Sequence, residues 1–130
     1  MRVVRALAEG GCVAPRAEAD MLLAAASEGV GPIEELSAHR LRGEPLAWIT
    51  GSVPFCGIGV RVDPGVFEPR PHTELLTRRA VSLLPDDRIA VDLCTGCGAV
   101  AAVLAAAHPR ATVVATDVDS VASPAPTTTA

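Results

Sequence analysis

The residues best suited to chemistry lie in one short stretch, residues 91–98, and in a single carboxylate that follows it at Asp117. Gly96 and Gly98 have no Cβ, so a ligand can approach the backbone there. The free N–H groups at the start of a following helix favour an electron-rich partner. Asp117 closes the next β-rich run, and a carboxylate in that position is suited to accept hydrogen bonds from the two hydroxyls of a ribose. The pattern predicts an adenosine site at the carboxyl ends of two strands.

Other interpretations of the same glycines remain open. The turn can be a close contact between a strand and a helix with no ligand, and Gly96-x-Gly98-x-x-Ala101 also fits the nicotinamide dinucleotide fingerprint. Asp92 lies two residues before the turn, where a carboxylate is out of place beside a pyrophosphate but well placed near the ammonium and sulfonium charges of S-adenosylmethionine. Alternatively, Asp92 accepts hydrogen bonds from neighbouring backbone N–H groups as a cap or turn residue.

The cysteines and histidines support other chemistry only weakly. Cys94-x-x-Cys97 stands at a helix start, as in thiol-disulfide oxidoreductases, but no Trp precedes it, no Pro separates its cysteines, and Gly98 and Asp117 are left unexplained. The four cysteines are expected to be reduced. Zinc needs four ligands, whereas the three histidines are isolated from one another, so no metal site is expected.

Composition limits the class of protein. The chain has 130 residues, 49% of them hydrophobic, and a net charge of -4, which favours one ordinary folded domain over disorder throughout. Its arginines are scattered and acidic residues exceed them, so direct nucleic-acid binding is not expected. No apolar run reaches the roughly 18 residues of a membrane span, and the first residues do not form a signal peptide, so a cytoplasmic location is expected.

The elements that must position these residues indicate an α/β fold. Helices are predicted over residues 15–28, 32–42 and 73–84, with apolar stripes through Ala17, Met21 and Ala24 in the first and through Leu76, Ala80 and Leu83 in the last. The alternation of Val60 and Val62 with polar neighbours predicts a hairpin-rich connector. Residues 88–117 then read as strand, glycine turn, helix and strand, the opening of a parallel doubly wound sheet. We predict a helical region at 1–43, a β-hairpin linker at 44–70, a partial cofactor domain at 71–119 and a disordered tail at 120–130.

Two segments resemble a known family. VDLCTGCGAV resembles the first S-adenosylmethionine motif of class I methyltransferases, and GEPLAWITGSVPFCGIGVRVDPGVFEPRPHTELL resembles the linker signature of the HemK/PrmC family. That family transfers a methyl group to the side-chain amide nitrogen of the glutamine in the GGQ motif of peptide chain release factors. The run at residues 68–74, EPRPHTE, is the most selective part of the resemblance.

The resemblance implies S-adenosyl-L-methionine as cofactor and a release factor as partner. It implies that residues 94–98 wrap the methionine and ribose portions, that Asp117 holds the ribose hydroxyls, and that residues from the linker line or brace the pocket. An alternative for Arg70 and Glu74 is a plain ion pair at the mouth of a helix, worth ~0 to 1 kcal/mol if exposed. The predicted cofactor-binding residues are Asp92, Cys94, Thr95, Gly96, Cys97, Gly98, Asp117, Phe67, Arg70 and Thr73, with Glu74 beside them.

The sequence also departs from the family pattern. Cys94 stands where the pattern has a glycine, which costs ~1 kcal/mol or more if the turn needs a positive φ. The helical region before the linker is short, and an Asn-Pro-Pro-Tyr motif that aims the acceptor amide at the methyl group is missing. We therefore expect a cofactor domain cut short after its second strand, no catalytic residue, no methyl transfer by this chain, and self-association through bare strand edges. The alternative is a non-catalytic remnant that binds a cofactor or a protein.

Overall fold

The structure, a computed structural model, describes residues 2–122 and divides into two units, residues 1–51 and 52–130. The predicted tail therefore lies, from residue 123 onward, outside the described residues, and the predicted four-part division of the chain stays a prediction. In the first unit, the described residues form α1 (Arg2–Glu9), α2 (Pro15–Ser27), α3 (Ile33–Leu41) and α4 (Leu46–Thr50). Their buried apolar core consists of Leu7, Ala19, Leu22, Ala25, Leu36 and Ile49.

The buried face of α2 differs from the predicted stripe. Ala17 and Ala24 are exposed, whereas Ala19 and Leu22 are fully buried. Alanine is frequent on every side of this helix, so its spacing does not fix the inward face. Glu18 is buried on that face because Arg40 of α3 donates to its carboxylate at 2.6 Å. Burial acts to raise the pKa of Glu18, but the hydrogen bond and charge of Arg40, with the bonds from Ala14 and Cys12, together outweigh it and the pKa is lowered.

The second unit contains a hairpin and a parallel strand pair. Strands β1 (Ser52–Phe55) and β2 (Ile58–Arg61) pair antiparallel, with Val53 opposite Val60. Val60 and Val62 are buried as their alternation predicts. The segment predicted as a β-hairpin linker, residues 44–70, is not all hairpin, because it also contains the short helix α4. Pro45, with a φ of -56°, suits the position before that short helix.

The strand–turn–helix–strand prediction is confirmed. After α5 (Thr73–Leu83) come β3 (Ile89–Leu93), α6 (Ala99–Ala107) and β4 (Thr112–Thr116), and β3 pairs parallel with β4. Helix α6 packs against the hairpin through a second core of Phe55, Val60, Ala99 and Val103. The fold is thus α/β, with a crossover helix between parallel strands that places both strand ends at one edge.

The apolar stripe of α5 does not face this core. Leu76 and Leu83 are 67% and 63% exposed, whereas Thr77 is fully buried and its hydroxyl donates to the carbonyl of Thr73 at 2.9 Å. The prediction for this helix was right in its extent and wrong in its buried face, since Thr77 is the buried residue.

Within residues 2–122, one face of the β3–β4 pair is also exposed. Ile89, Val91 and Leu93 are 71%, 56% and 71% exposed, and Val114 of β4 is 41% exposed. The four cysteines are free. None of the helices within residues 2–122 has the length and apolar character needed to cross a bilayer.

Candidate functional site

The chain between β3 and α6 forms a tight turn at residues 94–98, hereafter the site turn. The N–H of Thr95 donates to the carbonyl of Thr116 at 3.0 Å, which ties the turn to the end of β4, and the N–H of Gly98 donates to the carbonyl of Thr95 at 2.9 Å. Gly96 and Gly98 have φ angles of 55° and 80°, in the left-handed region that glycine adopts without a steric penalty. The glycines therefore allow the chain to reverse directly from the strand into the helix.

Asp117 lies against this turn, as its position after β4 predicts. One carboxylate oxygen accepts the N–H of Gly96 at 2.9 Å, and the other accepts the N–H of Asp119 at 2.9 Å. These bonds, first from Asp119 and then from Gly96, lower the pKa of Asp117. The carboxylate is therefore ionised at neutral pH and retains lone pairs for further donors.

Asp92 has the cap contacts that its second interpretation predicts. Its Oδ2 accepts the hydroxyl of Thr95 at 2.7 Å and the N–H of Ala101 at 3.2 Å. The carboxylate thus joins the site turn to the first turn of α6, where a negative charge is stabilised by the unpaired N–H groups of the helix. Asp92 also lines the cavity described next, so the two interpretations are compatible in this structure.

A cavity of about 330 Å³, hereafter the site cavity, opens between the residue 67–73 segment and the site turn. This volume lies within the range of small-ligand sites. Nine of the ten predicted residues line it, and Gly98 instead precedes the first residue of α6. Sequence reasoning missed Pro69, Ala99 and Val100, although the last two directly follow the turn and could have been included on that ground. The lining residues are Phe67, Pro69, Arg70, Thr73, Asp92, Cys94, Thr95, Gly96, Cys97, Ala99, Val100 and Asp117.

Arg70 is the cationic residue among them. Its guanidinium carbon lies 4.9 Å from the centre of the Phe67 ring, a cation–π contact, and its Nη1 lies 3.4 Å from the carboxylate of Glu68. The alternative of an ion pair between Arg70 and Glu74 is wrong, because Glu74 pairs with Arg78 at 3.1 Å, one turn further along α5. Arg70 is therefore held beside the cavity by the linker and not by α5.

The two cysteines of the site turn differ in environment. Cys94 is exposed and has a φ of 58°, a left-handed conformation that is costly for a residue with a side chain. Cys97 is half-buried, and burial raises the pKa of its thiol. The burial of Cys97 therefore gives no sign of an activated thiolate at that position. Among residues 2–122, no three His, Cys, Asp or Glu side chains lie together as a metal site would require.

No protein-family model matches the sequence. Among the curated relatives, the release factor glutamine methyltransferase of Mycolicibacterium smegmatis is 38% identical over 127 residues, which cover 85% of this chain and 45% of the relative. Proteins of the same name from Coxiella burnetii and Escherichia coli are 47% and 37% identical, over 63% and 65% of this chain and 31% of each relative. The chain thus spans less than half the length of these relatives. The resemblance expected from the motifs is confirmed.

Proposed function

We propose that this chain, a relative of the release factor glutamine methyltransferases, binds S-adenosyl-L-methionine in the site cavity. The observation that supports this most is the position of Asp117. Its ionised carboxylate lies 2.9 Å from the backbone N–H of Gly96, at the carboxyl edge of parallel strands and beside the start of α6. Ligands of open α/β sheets bind at that edge, and a carboxylate there is suited to the hydroxyls of a ribose.

The charges that line the cavity fit this cofactor. S-adenosylmethionine carries a sulfonium, an ammonium and a carboxylate, and the cavity presents the carboxylates of Asp92 and Asp117 and the guanidinium of Arg70. In our proposal Asp117 accepts the ribose hydroxyls, Asp92 lies toward the two cationic groups, and Arg70 faces the cofactor carboxylate. Residues 94–98 follow the methionine and ribose portions, while Phe67 and Thr73 complete the opposite wall.

The proposed reaction of the family fold is methyl transfer to a glutamine amide of a release factor. The bound cofactor supplies an electrophilic methyl group, but an amide nitrogen is a poor nucleophile and needs orientation and hydrogen bonding. The resemblance assigns that task to an Asn-Pro-Pro-Tyr motif, and these 130 residues contain none. We therefore expect the chain alone to hold the cofactor and to transfer no methyl group.

Two measurements test this proposal. Isothermal titration calorimetry with S-adenosylmethionine should show saturable binding of one molecule per chain, and titration with NAD⁺ should show none. Preferential binding of NAD⁺ would instead support the dinucleotide interpretation of Gly96-x-Gly98-x-x-Ala101. Mass spectrometry of a release factor incubated with chain and cofactor should show no gain of a methylene group, and a gain would refute the expected lack of transfer.

A further inference from the structure

The pair Cys94 and Cys97 is not accounted for by the binding of an adenosyl ligand. Both side chains line the site cavity, whereas Cys12 and Cys56 lie elsewhere. All four cysteines are free. The two cysteines are three residues apart with Gly96 between them, in a turn and not in a regular element.

We propose that Cys94 and Cys97 form a redox-sensitive pair whose oxidation to an intramolecular disulfide removes ligand binding from the site cavity. This inference rests on the proposed function for its ligand and extends it to regulation. Its structural basis is that one turn provides both the two thiols and the cavity wall. A covalent bond across that turn therefore cannot form without affecting the wall.

The exposure of the two thiols sets the order of reaction. Cys94 is exposed, so its thiolate is the group that a low-molecular-weight disulfide reaches first. Attack by Cys94 on such a disulfide forms a mixed disulfide and releases one small thiol. Cys97 then attacks the sulfur of Cys94 and releases the second small thiol. The two protein thiols lose two electrons and two protons, and the reagent disulfide gains them.

The burial of Cys97 affects the second step of this reaction. Burial raises the pKa of Cys97, so little of it is thiolate at neutral pH. This slows the second step, in which Cys97 attacks the mixed disulfide at Cys94.

Closing the disulfide also affects the bond that anchors Asp117. A disulfide places the two Cα atoms about 4.4–6.8 Å apart, which restricts the backbone of a four-residue turn. Gly96 is inside that ring, and its N–H donates to Asp117 at 2.9 Å. The constraint on Gly96 is expected to displace this N–H from the carboxylate that we assign to the ribose.

The experiment uses the full chain, treated with oxidised glutathione or with dithiothreitol. Peptide mapping by mass spectrometry should find a Cys94–Cys97 disulfide, preceded by glutathione on Cys94. Calorimetric affinity for S-adenosylhomocysteine should fall by at least about tenfold on oxidation, about 1.4 kcal/mol, and return with dithiothreitol. In Cys94→Ser, the oxidant should not change the affinity from that variant's own reduced value, whereas Cys97→Ser should stop at glutathione on Cys94 and show no intramolecular disulfide in the peptide map. A Cys12→Ser, Cys56→Ser double variant should keep the response.

Two results would overturn the proposal. One is the absence of a Cys94–Cys97 disulfide after oxidation, which peptide mapping reports without any ligand. The other is a formed disulfide with unchanged affinity. A reduced chain that forms the disulfide reversibly but binds no S-adenosylhomocysteine would overturn both this proposal and the cofactor assignment. If the reduced chain binds the ligand and no disulfide forms, only the redox proposal fails.

Discussion

At the scale of single residues, the site depends on a few hydrogen bonds around one turn. The predicted importance of Asp117 came from its place at the end of the β-rich run that follows two glycines, and the structure gives it a backbone partner in Gly96. The role of Asp92 could not be decided from the sequence, since cap and cofactor contacts need the same side chain. Its bonds to Thr95 and Ala101 show that it acts at least as a cap.

Asp117→Asn should weaken the binding of S-adenosylmethionine by about tenfold or more. The amide oxygen can still accept the N–H of Gly96, but the charged acceptor for the ribose is lost, and hydrogen bonds to charged groups are worth about 1.5–3 kcal/mol. Calorimetry measures the change. Asp87→Asn, at an exposed carboxyl that does not line the cavity, is the matched control and should bind as the parent chain does. Equal affinities for both variants would contradict the assignment of Asp117.

Cys94→Gly should stabilise the second unit by up to about 1 kcal/mol. The φ of 58° at Cys94 strains a residue with a side chain, and glycine removes that strain at some cost in unfolded-state entropy. Thermal unfolding followed by circular dichroism shows whether the substitution raises or lowers the midpoint temperature of unfolding. Cys12→Gly is the comparison, because Cys12 lacks a positive φ and packs on the core of the first unit, so this change should destabilise. A lower midpoint for Cys94→Gly would show that the turn is not strained there.

At the scale of elements, His108 joins α6 to α5 and to the loop before β3. Its Nδ1 lies 2.7 Å from the carboxylate of Asp86, and its Nε2 lies 2.9 Å from the carbonyl of Val81. Both partners can only accept hydrogen bonds, so both ring nitrogens must donate and the imidazolium form is favoured. Bonding to Asp86 first, and then to Val81, raises the pKa of His108.

The stabilising effect of His108 should therefore depend on pH. Because its pKa is raised on folding, the contribution is fully present below about pH 6.5, the ordinary histidine value, and is lost as pH rises through the raised folded value. The thermal midpoint of the parent chain should fall across that range, and His108→Asn should lose this part of the dependence. His72→Asn, at an exposed histidine before α5, is the control and should keep it. Identical profiles for the parent chain and His108→Asn would refute this role.

Element boundaries were easier to predict from the sequence than element faces. The glycines of the site turn and the valines of residues 88–117 determine β3, α6 and β4 through local chemistry, so those predictions are confirmed. The predicted buried faces of α2 and α5 were wrong, because alanines occur on every side of α2 and because α5 buries Thr77 while Leu76 and Leu83 lie exposed. Helix α4 was missed because five residues carry too little periodicity. The cavity itself depends on how the linker meets the turn, which no local pattern encodes.

At the scale of the whole molecule, exposed apolar surface is the prominent feature of the second unit as far as residue 122. Parallel sheets are normally buried on both faces, whereas here Ile89, Val91 and Leu93 lie exposed along β3. Exposed strand edges and apolar faces favour association with another chain. This surface supports the expectation, made from the sequence, that copies of the chain self-associate.

Replacing Ile89 and Val91 together by threonine should reduce that self-association. Threonine keeps the preference for strands while lowering the apolar area, so the pairing of β3 with β4 should persist. Light scattering coupled to size-exclusion chromatography, over a range of chain concentrations, should show a lower mean mass than for the parent chain. The control replaces Val13 and Val30 of the first unit by threonine as well. These two side chains are 96% and 50% exposed, and their replacement should leave the mass distribution unchanged. A parent chain that stays monomeric at every concentration would refute the expectation.

The measurement that tests the central claim most directly is a titration of the ¹⁵N-labelled chain with S-adenosylhomocysteine, followed by amide chemical shifts in nuclear magnetic resonance spectra. The claim is that the site turn and Asp117 together form an adenosyl site. We predict saturable shifts of the Gly96, Gly98 and Asp117 amides, with a single binding constant, while amides of the first unit such as that of Leu22 stay in place. Saturable shifts confined to the first unit, or no shifts at saturating ligand, would contradict it.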